Sequence, residues 1–201
     1  MSNPVIILGT GGTREACPFD CETWGVNGVY AYRESLVESG HPFRLDKLFI
    51  TDTLFSTQGT LHFDIERVNQ IIREYGTEVI SMHPLRLGKF VIPTTPYPFK
   101  EITDTFQSQY FTSTIGYMIA YAMYKNKKGI KMYGVDMTTK TEYLLQKGSI
   151  EYWLGRAQER GIQLYVTPGG SILVPHQSTP YGITMDLDYS KYDPYNVMEM
   201  R

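Results

Sequence analysis

Pro4-Val5-Ile6-Ile7-Leu8 is an unbroken apolar run that stops at Gly9-Thr10-Gly11-Gly12-Thr13. A run without polar alternation is the pattern of a strand buried on both faces, and the glycines predict a tight turn at its end. Further strands are predicted at 23–26, ending at Asn27-Gly28, and at 45–50, ending at Thr51-Asp52. The period then changes: Ile65, Val68, Ile71 and Ile72 share one face of a helix over 64–75, with Asp64 placed to cap its start and Gly76 its end. A strand at 79–82 leads into His83-Pro84, and the proline-rich stretch 89–100 reads as an extended loop over one end of the sheet. Ile115, Met118, Ile119, Ala122 and Met123 predict a second, largely buried helix over 113–124. A strand at 130–135 ends at Asp136-Met137, a third helix over 150–160 stops at Gly161, and 163–166 is the last strand. Strands alternating with helices predict an α/β fold with a mostly parallel sheet covered on both faces. From 175 onward no period survives, so the expected organisation is one domain over 1–174 and an extended, Tyr-rich tail over 175–201.

Composition narrows the classes. With 42% hydrophobic and 20% charged residues in 201, the chain is an ordinary globular protein. Its net charge of -2 argues against a broad nucleic-acid surface. No apolar stretch approaches the roughly 20 residues of a membrane span, and no basic region followed by a long apolar run opens the chain. Cys17 and Cys21, four apart, lack the further ligands of a metal site and read as reduced thiols. The expectation is a cytoplasmic protein, of a bacterium or of a phage-infected host, with no nucleic-acid or membrane partner and no resident metal. Tyrosine is the outlier, at 16 residues. Tyr117, Tyr121 and Tyr124 fall at helical spacing and predict a packed face. Tyr181, Tyr189, Tyr192 and Tyr195 crowd the tail and predict a contact surface, with a homo-oligomer as the expected assembly.

Candidate chemistry gathers at the predicted strand ends, where open parallel sheets bind ligands. Gly9, Gly11 and Gly12 let backbone approach a ligand and present N–H groups to a phosphate, with Thr10 and Thr13 adding hydroxyls and Arg14 a charge. The spacing is neither the G-x-G-x-x-G of dinucleotide folds, because Arg14 stands where the third glycine would be, nor a P-loop. Asn27 suits a base edge or a ribose hydroxyl, or is a plain turn residue. Asp136 is read as a general base, a metal ligand or a sugar-hydroxyl acceptor, and otherwise as a helix cap; Asp52 shares that ambiguity. His83, past the end of a strand, is the second catalytic candidate, against a structural histidine. Tyr143 is a candidate stacking residue in the loop expected to cross the pocket, beside Glu142 and Gln146. Arg86 and Lys89 read as solvated loop charges that could meet a phosphate.

The ordered set Ile6-Ile7-Leu8-Gly9-Thr10-Gly11-Gly12-Thr13, Trp24-Gly25-Val26-Asn27, Ser113-Thr114-Ile115-Gly116 and Ile130-Lys131-Met132-Tyr133-Gly134-Val135-Asp136-Met137 resembles the Rossmann-like group that contains the bacterial sialyltransferases of glycosyltransferase family 42. Motility accessory factor and 6-hydroxymethylpterin pyrophosphokinase-like proteins look like relatives. The stretch from Gly134 to Tyr143, with Glu151-Tyr152-Trp153 and Gly155, also looks like small proteins of tailed bacteriophages. The resemblance spans about residues 4–173 and implies a Rossmann-like three-layer fold. By similarity, Gly9, Gly11, Gly12, Thr13 and Asn27 would hold a nucleotide. The helix start at Ser113, Thr114 and Gly116 would face it with N–H groups and a positive dipole end. The chain departs from the family where Gly11-Gly12-Thr13 replaces Gly-Pro-Ser, and neither His83 nor His176 aligns with the family's histidine base.

The resemblance therefore implies nucleotide or nucleotide-sugar binding ahead of sialyl transfer, in a glycosyltransferase-type transferase with the donor as ligand and no required cofactor. Two alternatives stand beside it. One is a pyrophosphokinase-like enzyme using Mg²⁺ held by Asp52 and Asp136. The other is a non-catalytic phage protein that retains the fold for binding or assembly.

Overall fold

The computed structural model describes residues 2–55, 61–137 and 141–174, except the side chains of residues 87, 90 and 141–144. In chain order the strands are β1 (Pro4–Leu8), β2 (Glu22–Val26), β3 (Lys47–Ile50), β4 (Glu78–Ser81), β5 (Leu85–Leu87), β6 (Phe90–Ile92), β7 (Thr95–Pro96), β8 (Gly129–Tyr133) and β9 (Gln163–Val166). The helices are α1 (Arg33–Glu38), α2 (Ile65–Tyr75), α3 (Phe99–Phe106), α4 (Thr114–Tyr124) and α5 (Thr141–Glu159), with 3-10 turns at Gly12–Ala16 and Asn27–Tyr32.

Seven strands make one sheet in the order β7-β4-β3-β2-β1-β8-β9, and every neighbouring pair runs parallel. β5 and β6 form a separate antiparallel hairpin. The expected α/β fold is therefore the observed one. β1 sits between β2 and β8, and the apolar run explains why: Val5, Ile6, Ile7 and Leu8 are all fully buried. Alternation sends Val5 and Ile7 to one face and Ile6 and Leu8 to the other. On the first face they join Trp24, Phe49 and Met132 beneath α3, α4 and α5. On the second they join Leu48, Ile50 and Val79 beneath α1, α2 and the residues around the 3-10 turns. Each fully buried aliphatic side chain contributes about 1.5–3 kcal/mol, so both faces hold the sheet. No helix among the described residues is long and apolar enough to cross a membrane.

Several boundaries differ from the pattern-based expectation. Asp64 accepts a hydrogen bond from the Arg67 N–H and Gly76 adopts φ 66°, so α2 starts and stops where its caps predict. The 89–100 stretch is not a simple loop: it completes a hairpin, adds β7 and opens α3. Pro96 is compatible with a strand because β7 is an edge with only β4 beside it. α3 was hidden because Pro98, at its N-cap, reads as a breaker, while Ile102 and Phe106 bury the face that follows. α5 begins at Thr141, not 150, its early turns carrying no apolar stripe to reveal them. The tail at 175–201, with its tyrosines and its expected role in self-association, lies outside the described residues.

Candidate functional site

From β1 the chain steps outward through β2, β3 and β4 to β7, then returns to place β8 on the other side of β1. That reversal opens a crevice beyond the carboxyl ends of the strands, the favoured ligand position in such sheets. A cleft of about 1120 Å³ occupies it. Its lining includes Gly9 to Gly12 after β1, Asn27 after β2, Thr51 and Asp52 after β3, His83 after β4, and Gly134 to Met137 after β8. The start of α4 (Ser113, Thr114 and Ile115) closes it from the α3–α5 layer, with Tyr97, Phe99, Phe111 and Tyr117 as an aromatic wall.

The glycine loop is held by the loop after β8. Gly9 N–H donates to Tyr133 O at 2.8 Å and Gly11 N–H to Gly134 O at 2.7 Å. A Cβ on Gly9 would lie 2.2 Å from Gly134 O, and one on Gly11 would lie 2.5 Å from Asp136 Oδ2. Those two glycines are thus demanded by close approach of the chain to itself, with their N–H groups already committed. Gly12 differs: its nearest contact for a Cβ would be Asp136 Oδ2 at 3.8 Å, and the residue is exposed in the cleft.

Thr13 ties the two loops together. Its N–H donates to Asp136 Oδ2 at 3.2 Å, its hydroxyl donates to Asp136 Oδ1, and the Thr13 hydroxyl oxygen in turn accepts from Gly134 N–H at 2.9 Å. Arg14 turns beneath the loop, donating to Thr10 O at 3.0 Å and Gly11 O at 3.1 Å, with its guanidinium 3.8 Å from the Tyr32 ring centre. Neither Thr13 nor Arg14 lines the cleft. They shape the loop that does.

Asn27 sits in the left-handed region at φ 44°, and its Nδ2 donates to Asp52 Oδ2 at 2.8 Å. Its Oδ1 is buried without a hydrogen-bond partner among the described residues. Thr51 and Thr114 share a hydroxyl–hydroxyl bond of 2.6 Å, pinning the end of β3 to the start of α4. Ser113 caps α4, accepting from Gly116 N–H at 3.2 Å. The Gly116 amide is therefore spent inside the helix, and the residue lies under the surface, where a Cβ would come within 2.9 Å of Ser149 Oγ. Thr114 and Ile115 precede the first intrahelical bond, from Tyr117 N–H to Ser113 O, and both line the cleft.

The aromatic wall went unnoticed in the sequence because its members come from three segments. Phe111 stacks on Tyr117 at 4.2 Å and on Trp153 at 4.8 Å, so it is sandwiched. Tyr97 donates its hydroxyl to Tyr117 O at 2.9 Å, and burial pushes its ionisation upward. Burial also raises that of Tyr117. Tyr121, one turn on, belongs to the core instead. Tyr143 lies in α5 among the side chains outside the described set, and Gln146 lines the cleft.

The strand order separates the acid–base candidates. Asp136 follows β8 and His83 follows β4, four strands away, which is about 19 Å at the usual inter-strand spacing. They bracket the cleft instead of forming a dyad. Asp52 and Asp136 are three strands apart, about 14 Å, too far for their ends to meet on one Mg²⁺ at its roughly 2.1 Å bonds. No group of three or more His, Cys, Asp or Glu suited to a metal occurs among the described residues.

No family model and no curated protein matches the chain. Among solved structures, the fold is similar to that of the sialyltransferase CstII from Campylobacter jejuni in complex with a substrate analogue, cytidine-5'-monophosphate. The two are 16% identical at a TM-score of 0.50, over 82% of this chain and 79% of that one. An Asn-to-Ala variant of the sialyltransferase CST-II in complex with CMP is 18% identical at a TM-score of 0.49, over 81% of this chain and 80% of that one. At these identities the likeness is one of fold: an α/β architecture shared with a sialyltransferase.

Proposed function

We propose that the cleft binds a nucleotide or a nucleotide-sugar and that the protein is a glycosyltransferase-type, sialyltransferase-like enzyme. The observation that carries this reading is a single crevice at the strand-order reversal in which a glycine loop faces the capped start of α4 beside an aromatic wall. The solved neighbour of like fold is a sialyltransferase in complex with CMP, which is consistent with that use. The open amides of Thr114 and Ile115, at the positive end of α4, would receive the phosphate and stabilise it as a leaving group. Gly12 and Thr10 would border it from the opposite side. The unpartnered Oδ1 of Asn27 would accept from a ribose hydroxyl or an exocyclic amine. The edges of the stacked Phe111 and Tyr117 rings would border a base or sugar. Asp136, held by Thr13, would orient an acceptor hydroxyl, or exposed His83 would take the proton at the other end.

The test is calorimetric titration with CMP, UMP, AMP and GMP, with and without Mg²⁺, followed by a donor-hydrolysis assay. Saturable binding of at least one nucleotide without metal is expected. Absence of heat and of thermal stabilisation with all four, in either buffer, would remove the reading.

A further inference from the structure

The residues that follow β9, Thr167-Pro168-Gly169-Gly170-Ser171, form a second glycine loop, none of it among the described residues that line the cleft. Its place follows from strand order: β9 lies beside β8 and β8 beside β1, so the three strand exits stand side by side. Thr167 fixes one end of the loop, donating its N–H at 3.0 Å and its hydroxyl at 2.7 Å to Met132 O. Ser171 fixes the other end on the loop after β8. Its N–H donates to Asp136 O at 2.8 Å and its hydroxyl to Met137 O at 2.8 Å, so one residue holds the carbonyl on each side of Met137. Met137 needs such a hold. It lines the cleft at φ 50°, in the left-handed region, where a residue with a side chain is strained and persists only if its neighbours impose it.

The contacts are close enough to pass this constraint on. A Cβ on Gly170 would lie 3.0 Å from Asp136 Cα and 3.1 Å from Asp136 O, and one on Gly169 would lie 3.3 Å from Thr13 Cγ2. Asp136 in turn accepts from Thr13, and Gly11 lies against its carboxylate. The loop after β9 therefore bears on the loop after β8, and both bear on the glycine loop.

We infer that Ser171 is a positioning residue for the cleft: from behind its wall it holds Met137 left-handed and so sets Asp136 and Met137 toward the bound nucleotide, with Gly170 permitting the close approach. This rests on the nucleotide-binding reading and adds to it a determinant of affinity that touches no ligand. Without the Ser171 hydroxyl the carbonyl of Met137 loses this donor, and the left-handed state loses part of what offsets its strain. Met137 then enters the ordinary right-handed and extended regions, which turn its side chain and carbonyl away from their places on the cleft.

The experiment is calorimetric titration of the full chain with CMP, UMP, AMP and GMP, repeated on Ser171→Ala, Ser171→Thr and Gly170→Ala well below their melting temperatures. Ser171→Ala is expected to weaken the nucleotide bound by the unaltered protein about fivefold, the effect of one net hydrogen bond, while Ser171→Thr, which keeps the donor, stays within about twofold. Gly170→Ala, which pushes on the Asp136 backbone, is expected to weaken it as well. A serine with only a structural role would lower the melting temperature and leave the dissociation constant of the folded protein unchanged. That result would overturn the inference, as would equal losses in the Ala and Thr variants. A measurement on the unaltered protein guards against a misfolded variant: saturation with the nucleotide should slow hydrogen exchange of the Ser171 amide, read by NMR, more than it slows the α2 amides. Equal slowing at both places would also overturn the inference while leaving nucleotide binding intact. Absence of binding by all four nucleotides would instead remove the reading beneath it.

Discussion

Gly11 and Gly12 are adjacent and chemically identical, yet the structure gives them opposite roles. A Cβ on Gly11 collides with the Asp136 carboxylate at 2.5 Å and with Gly134 O at 2.9 Å, whereas one on Gly12 makes ordinary contact at 3.8 Å. Gly11→Ala should therefore lower stability by about 1–3 kcal/mol, the usual cost of overpacking, read as a shifted urea midpoint. Gly12→Val should leave that midpoint within about 0.5 kcal/mol and instead weaken nucleotide binding, because its side chain enters the cleft. If both variants unfold alike, the distinction fails. The sequence shows three glycines in a row of five residues but cannot say which face another chain segment and which face a ligand. That distinction depends on where Gly134 and Asp136, more than 120 residues away, come to rest.

α4 joins the core to the cleft. Its residues from Thr114 to Met123 are buried except Tyr117, the pattern of a helix enclosed on nearly all sides. That burial fixes the axis, and the Ser113 cap sets where the first free amides stand. Ser113→Ala should cost about 1 kcal/mol of stability and weaken binding of a nucleoside monophosphate while sparing that of the nucleoside itself. An equal loss for both would mean that the helix start does not meet the phosphate. The Ser113 cap emerged only in the structure, while the helix was legible from its apolar residues Ile115, Met118, Ile119, Ala122 and Met123. α3 was not, because the prolines before it mask the short run of Phe99, Ile102 and Phe106, and with it went Phe99's place in the aromatic wall.

The whole molecule is polarised along the sheet axis. Ion pairs cluster toward the amino ends of the strands, as in Lys47–Glu78, Lys127–Glu22, Arg44–Asp46 and Lys131–Asp20. The carboxyl ends hold the cleft and its two carboxylates without ion pairs among the described residues. Beneath this surface the core holds acids that must stay protonated. Burial pushes the Cys17 thiol up to about 12 from 9.0 and the Tyr133 and Tyr121 phenols up to about 12 from 10.0. Each folded value lies above its unfolded one, so above pH 9 the unfolded chain loses protons that the folded chain keeps. Stability is thus whole below about pH 9 and is lost progressively as pH rises toward 12. A melting temperature falling steadily from pH 9 to 11, with a shallower first part in Cys17→Ala, is the expected result. A flat profile would contradict it.

The sequence by itself determined the α/β class, the strand buried on both faces, the caps of α2, and the clustering of polar residues at strand ends. All of these depend on local period and on residues a few positions apart. Only the tertiary structure decided which of those polar residues meet. Strand order lies in long-range pairing and not in local pattern. It put Asp136 and His83 at opposite ends of the cleft, turned Thr13 and Arg14 into supports of the loop, and assembled an aromatic wall from Tyr97, Phe99, Phe111 and Tyr117.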